Sequence, residues 1–198
     1  MDLPGEHAQE PVPLDPISHI HAKAAAKDAR FVQMKTILLA LDEAIAERRE
    51  GAAPVQASIN EYFAAIMTAL EAEDQSHTLE LLDLLAVLLP GCAPGVLRAK
   101  AAPALALLRR LLGANAGPDA PPAAVRKLLA CFGHLLAAQE PSAKAWNAPV
   151  LLKALHVVLA FFNDKRPKVR KAAHAAALGA LRGSPGAGAA VGAFCTAA

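Results

Sequence analysis

Apolar residues recur at spacings of three and four along most of this chain, and segment after segment of the pattern ends at a proline or a glycine. That spacing lines one face of an α-helix and no face of a strand. Within residues 31–50, Met34, Ile37, Leu38, Leu41 and Ile45 share a face, and Gly51 supplies a stop. Ile59, Tyr62, Phe63, Ile66 and Leu70 repeat the pattern behind Ser58 and Glu61, which are spaced as a capping box. Residues 78–89 are apolar almost all round, Glu80 and Asp83 excepted, as in a helix buried between neighbours, and Pro90-Gly91 breaks them. Further helices are predicted over 95–112, closed by Gly113, then over 122–138, 149–162 and 167–182, the last stopping at Gly183. Residues 17–28 form a short one. No stretch alternates apolar and polar residues long enough for a strand, and leucine and alanine, both strong helix formers, carry the packing in a chain with only 4% aromatics.

About seven helices joined by short loops give antiparallel neighbours. Three helix starts resemble one another: PGVLRAKAA at 94–102, PAAVRK at 122–127 and PKVRKAA at 167–173. Each has proline in the first turn, where its missing N–H costs nothing, then an apolar residue, a cation and small residues. Spacing between them is irregular, 28 residues from Arg98 to Arg126 and 44 on to Arg170. These starts resemble those of HEAT repeats, and the fold class expected is all-α, an α-solenoid of antiparallel helix pairs. The domain reading is an acidic, proline-rich, disordered tail over 1–16, a helical repeat domain over 17–183, and a low-complexity Gly/Ala tail over 184–198.

Charge divides the chain. Residues 1–90 hold 6 Lys/Arg against 15 Asp/Glu, and residues 91–198 hold 14 against 3. An acidic front and a basic rear suit different partners, the rear suiting nucleic acid. The sharpest basic feature is Lys165-Arg166-Pro167-Lys168-Val169-Arg170-Lys171, five cations in seven residues. It reads as a phosphate- or acidic-partner-binding ridge at a helix N-terminus, as a nuclear-import signal, or as a solvated helix start. Arg98, Lys100, Arg126 and Lys127 hold similar places in their helices, so repeats stacked in register would join them to that ridge, with Arg109, Arg110 and Lys153 widening it. Trp146, Phe132, Phe161 and Phe162 read as core anchors, which leaves recognition of phosphates and shape and not of bases.

Chemistry is not expected. There is no H-E-x-x-H, Walker loop, G-x-S-x-G or G-x-G-x-x-G, and neither catalytic residues, cofactor nor metal are assigned. His19 and His21 lack a third ligand nearby, and His77, His134, His156 and His174 are scattered, as for helix-surface or interhelix hydrogen-bonding residues. Cys92, Cys131 and Cys195, odd in number and far apart, suit reduced intracellular thiols. The N-terminus lacks the basic and apolar regions of a secretory signal, and the greasiest stretch, 79–89, is shorter than the roughly 20 residues a membrane span needs.

Taken in order, MKTILLALDE (34–43), EYFAAIMTAL (61–70), LLDLL (81–85), LRAK (97–100) and above all RPKVRKAAH (166–174) with LRG (181–183) resemble the N-terminal part of the ribosomal RNA-processing protein 12 family of HEAT-repeat proteins. The similarity covers roughly residues 31–183. It implies a nuclear and nucleolar factor that binds pre-ribosomal RNA and ribosome-assembly proteins during maturation and export of the small subunit, without catalysis. Family members are much longer, so the chain is expected to be a fragment or a truncated product. A generic HEAT adaptor for nuclear transport or cytosolic scaffolding, binding protein partners in a concave groove, is the alternative.

Overall fold

The computed structural model describes residues 15–49, 57–72, 76–115, 117, 121–183, 186–188 and 192. Among these the regular structure is all helical: α1 (Pro16–Ala25), α2 (Ala29–Arg48), α3 (Ile59–Glu71), α4 (Thr78–Leu88), a 3-10 turn (Leu89–Gly91), α5 (Pro94–Ala99), α6 (Ala101–Asn115), α7 (Pro122–Ala137), α8 (Ala143–Trp146), α9 (Pro149–Ala160) and α10 (Pro167–Gly183). The tail read over 1–16 lies outside the described residues up to residue 14. Asp15 already caps α1, its carboxylate accepting from the Ile17 and Ser18 N–H groups. The stop read at Gly51 and most of the tail read over 184–198 also lie outside the described residues.

Local chemistry explains the helix ends. Ser58 Oγ accepts from the Glu61 N–H at 3.3 Å while Glu61 Oε2 accepts from the Ser58 N–H at 2.8 Å, the capping box expected at the start of α3. Between α1 and α2 the chain reverses through Lys27, which holds a φ of 61°. The Lys27 N–H donates to the Ala24 carbonyl and the Asp28 N–H to the Lys23 carbonyl, closing α1, and Asp28 then caps α2.

The single helix expected over 95–112 is two. Pro103 has no N–H for the Ala99 carbonyl and its ring would strike it, so α5 ends at Ala99 and α6 begins afresh at Ala101. Nor does Gly113 close α6, which runs on to Asn115, whose side-chain amide donates to the Leu111 carbonyl at 2.8 Å. The helix expected over 149–162 is closed earlier, at Ala160.

The helices pair and stack. α3, α6 and α9 make one layer; α2, α4, α7 and α10 make the other, with α1 packed on α2. α7 is the centre, touching α4, α6, α9 and α10. One apolar core runs through all the pairs, and Leu82, Leu84, Leu85 and Leu88 of α4 are fully buried in it, as the near-continuous apolar run required. No described helix is long and apolar enough to cross a membrane.

The α7–α10 contact is made of small residues. Ala173, Ala176, Ala177 and Ala180 of α10 are buried there, and a Cβ added at Gly133 would lie 2.8 Å from the Ala176 Cα. At the far end Gly183 lies against the backbone of Ala137. Since Gly133 meets Ala176 and Ala137 meets Gly183, the two helices run in the same direction and their N-terminal turns lie at the same end of the layer.

Candidate nucleic-acid and partner interface

The parallel run of α7 and α10 decides which cations meet. Arg126 and Lys127, in the first two turns of α7, lie at the same end of the layer as Lys168, Arg170 and Lys171 in the first turns of α10. Lys165 and Arg166 stand immediately before α10. Arg98 and Lys100 are not part of this row. They end α5, which leads into α6 in the other layer, and Arg98 reaches the opposite end of α7, with Nη1 3.5 Å from the Ala138 carbonyl and Nε 3.3 Å from Glu140 Oε1. Lys100 lines a groove between α3 and α6 with Asn60, Met67 and Val96. Arg109 and Arg110 on α6 and Lys153 on α9 also belong to that other layer. Two of the three look-alike helix starts therefore align. The third opens the short helix α5, which leads into α6 and so into the other layer.

Within the row, cations divide by what they hold. The Arg166 guanidinium grips Asp164 with Nε at 2.9 Å and Nη2 at 2.8 Å, and the Arg166 N–H donates to the same carboxylate at 2.8 Å. Those bonds pull the Asp164 carboxyl down to about 2. Arg170 donates through Nη1 to the Asp164 carbonyl at 2.8 Å and to the Lys165 carbonyl at 3.3 Å. Arg166 and Arg170 thus fasten the turn that leads into α10. Lys165, Lys168 and Lys171 are exposed, and among the described residues none of them is paired with a carboxylate. Arg126 is likewise exposed and makes one long bond, from Nε to the Pro122 carbonyl at 3.3 Å.

Lys127 is committed elsewhere. Its Nζ lies 2.6 Å from Asp83 Oδ2 on α4, and Arg30 of α2 forks onto the same carboxylate with Nε 2.7 Å from Oδ2 and Nη2 2.6 Å from Oδ1. Asp83 is only 8% exposed. Burial alone would raise its carboxyl, but hydrogen bonds from Arg30 and Lys127 outweigh that and hold it below the ordinary carboxylate range. The same contact raises the Arg30 guanidinium. One carboxylate thereby ties together three successive members of the layer, α2, α4 and α7. Beside it, Cys131 is fully buried, and burial together with the Asp83 charge pushes its thiol up to about 12, which keeps it protonated and inert.

Between α4 and α7 the layer surface is indented by a groove of about 620 Å3, bordered by Arg30, Asp83, Arg126 and Lys127. Arg30 did not figure among the expected site residues. The one signal was Asp83 itself, a carboxylate on an otherwise apolar helix, which must be paired to be buried.

Two aromatic side chains are core residues, and two of the histidines pack against aromatic rings. Trp146 and Phe132 are core residues. His174 packs edge-on against Phe162 with centroids 4.4 Å apart, and His19 against Phe31 at 5.4 Å. Among the described residues no three His, Cys, Asp or Glu side chains gather as for a metal ion.

With this arrangement in hand, the family described as RRP12-like, N-terminal HEAT repeats, matches residues 32–191. An RRP12-like protein of Gallus gallus is 36% identical over 125 residues, 63% of this chain and 9% of that protein. An RRP12-like protein of Homo sapiens is 30% identical over 160 residues, 80% of this chain and 12% of that protein. The chain therefore spans about a tenth of the length of the curated relatives it matches. No solved structure matches.

Proposed function

The chain belongs to the RRP12-like family through its N-terminal HEAT repeats, and from that membership we propose that it is a non-catalytic scaffold in ribosome biogenesis. It holds pre-ribosomal RNA and assembly proteins in the nucleus and nucleolus while the small subunit matures and is exported. The observation that carries the RNA half is the group of exposed cations, Arg126, Lys165, Lys168 and Lys171, at one end of the α7–α10 pair, unneutralised by carboxylates among the described residues. Such a group attracts phosphates through counterion release and needs no base-specific contact. The acidic excess of residues 1–90 suits basic assembly proteins in the same way.

The test is a salt titration of binding to a labelled small-subunit precursor RNA. Replacing Arg126, Lys168 and Lys171 by Glu spares Asp83 and Asp164 and leaves the helices their partners. The slope of log affinity against log salt should fall by about 2, at roughly 0.7 for each phosphate no longer neutralised, with helicity unchanged. An unchanged slope sinks the RNA reading and leaves the adaptor.

A further inference from the structure

The groove between α4 and α7 has a composition that a phosphate-binding surface does not call for. Its floor is apolar and small, made by Ala86 of α4 and by Ala123 and Ala130 of α7. Leu79 lies at one end and is 37% exposed, one of four large hydrophobic side chains that reach such exposure among the described residues. Its walls are cationic: Arg30 on one side, Arg126 and Lys127 on the other. Asp83 answers only part of that charge, because Arg30 and Lys127 share its single carboxylate and Arg126 has none. Glu80, a turn before Asp83, receives a bond from Gln33 at 3.3 Å and stands outside the groove.

From this juxtaposition we infer that the groove binds an acidic segment of a protein partner, one whose apolar side chains alternate with carboxylates. Ala86, Ala123 and Ala130, with no side chain beyond Cβ, leave the groove its volume of about 620 Å3, and Leu79 offers an anchor for an apolar side chain. The carboxylates on either side of that anchor meet Arg126 and the outer edge of Arg30, whose side chain is 53% exposed despite its bonds to Asp83. Because Asp83 already fixes Arg30 and Lys127, the walls lose little freedom when the peptide arrives. Nucleic acid fits less well. A phosphodiester backbone has no apolar group to cover the floor, and no aromatic side chain lines the groove to stack a base. The peptide reading shares Arg126 with the RNA reading, but Ala123 belongs to the groove alone and Lys168 and Lys171 to the α10 surface alone. The exposed lysines of α10 and the groove can succeed or fail separately.

The test is fluorescence anisotropy on the full chain with a labelled peptide that alternates glutamate and leucine. A lysine–leucine peptide and oligouridine serve as competitors. The acidic peptide binds, and the lysine–leucine peptide does not displace it. Arg126→Glu weakens it about tenfold, the scale of one charge contact turned repulsive. Ala123→Phe, at a half-buried position lining the groove, fills the channel without altering charge and weakens the peptide as much, while leaving the salt-dependent binding of oligouridine intact. Circular dichroism confirms that both variants stay folded. The inference is overturned if the acidic peptide fails to bind, if it binds both variants as well as the parent, or if Ala123→Phe removes oligouridine binding instead, which would make the groove an RNA site.

Discussion

Replacing Gly133 by alanine sets two known effects against each other. In the interior of an exposed helix, Gly→Ala stabilises by about 1 kcal/mol through backbone entropy. At Gly133, however, the new methyl carbon would stand 2.8 Å from the Ala176 Cα and 3.0 Å from its Cβ, where carbon atoms prefer about 3.5–4.0 Å. Ala176 has no rotamer to change and its Cα belongs to the backbone of α10, so relief requires moving that helix by roughly 1 Å. Overpacking of this kind costs about 1–3 kcal/mol. Movement also loosens the contact at Gly183 and Ala137, further along the same seam. The net expectation is a loss of up to about 2 kcal/mol. Gly179, also within α10, has nothing within 4 Å of an added Cβ, so Gly179→Ala should gain the entropic 1 kcal/mol or so with no penalty. Thermal unfolding followed at the helical signal separates them, since each kcal/mol moves Tm by about 2–4 °C in a domain of this size. If both variants rise together, α7 and α10 are not held backbone to backbone and the account of the seam is wrong.

Asp83→Asn should destabilise by about 1–3 kcal/mol near neutrality, the lower end being favoured because Arg30 is half-exposed and screened. The Asp83 carboxyl is lower in the folded chain than in the unfolded one, so its contribution is complete above about pH 4 and lost as pH falls through the folded value. Urea midpoints of parent and variant should therefore converge in acid, and a gap that stays constant would refute the ion-pair account. Lys27→Gly should raise stability by about 1 kcal/mol, since a side chain in the left-handed region is strained and glycine is not. A fall in the urea midpoint would show that the Lys27 side chain stabilises the turn through another contact.

The helices were largely legible because their signals are local. Ser58 and Glu61, Pro122, Pro149 and Pro167 mark starts that need no tertiary information. Pro103 was equally visible and splits the segment over 95–112. Gly113 misled, because a glycine facing open space near a helix end need not stop it. The candidate site was legible in its residue types and not in its geometry. The three proline-led starts look alike, yet α5 leads into α6 of one layer while α7 and α10 lie in the other, and only the stacking of the pairs distinguishes them. Within the basic run, Arg166 and Arg170 hold the Asp164 carboxylate and carbonyl because the turn before α10 folds back on itself. Asp83 announced that it needed a partner. Arg30, which lies 53 residues earlier, carries no local mark of being one of them.

The alanine seam also has a mechanical meaning. Two helices that touch through methyl groups and backbone have no side-chain slack to take up when they are pushed or twisted, so α7 and α10 behave as one stiff block. At the other end, α2 is fastened to α4 by a long guanidinium arm, which can pivot without breaking its grip. Bending imposed on this stack by a load should therefore collect between α2 and α4, and the cations at the head of α7 and α10 should travel together, keeping their spacing while the front of the molecule yields.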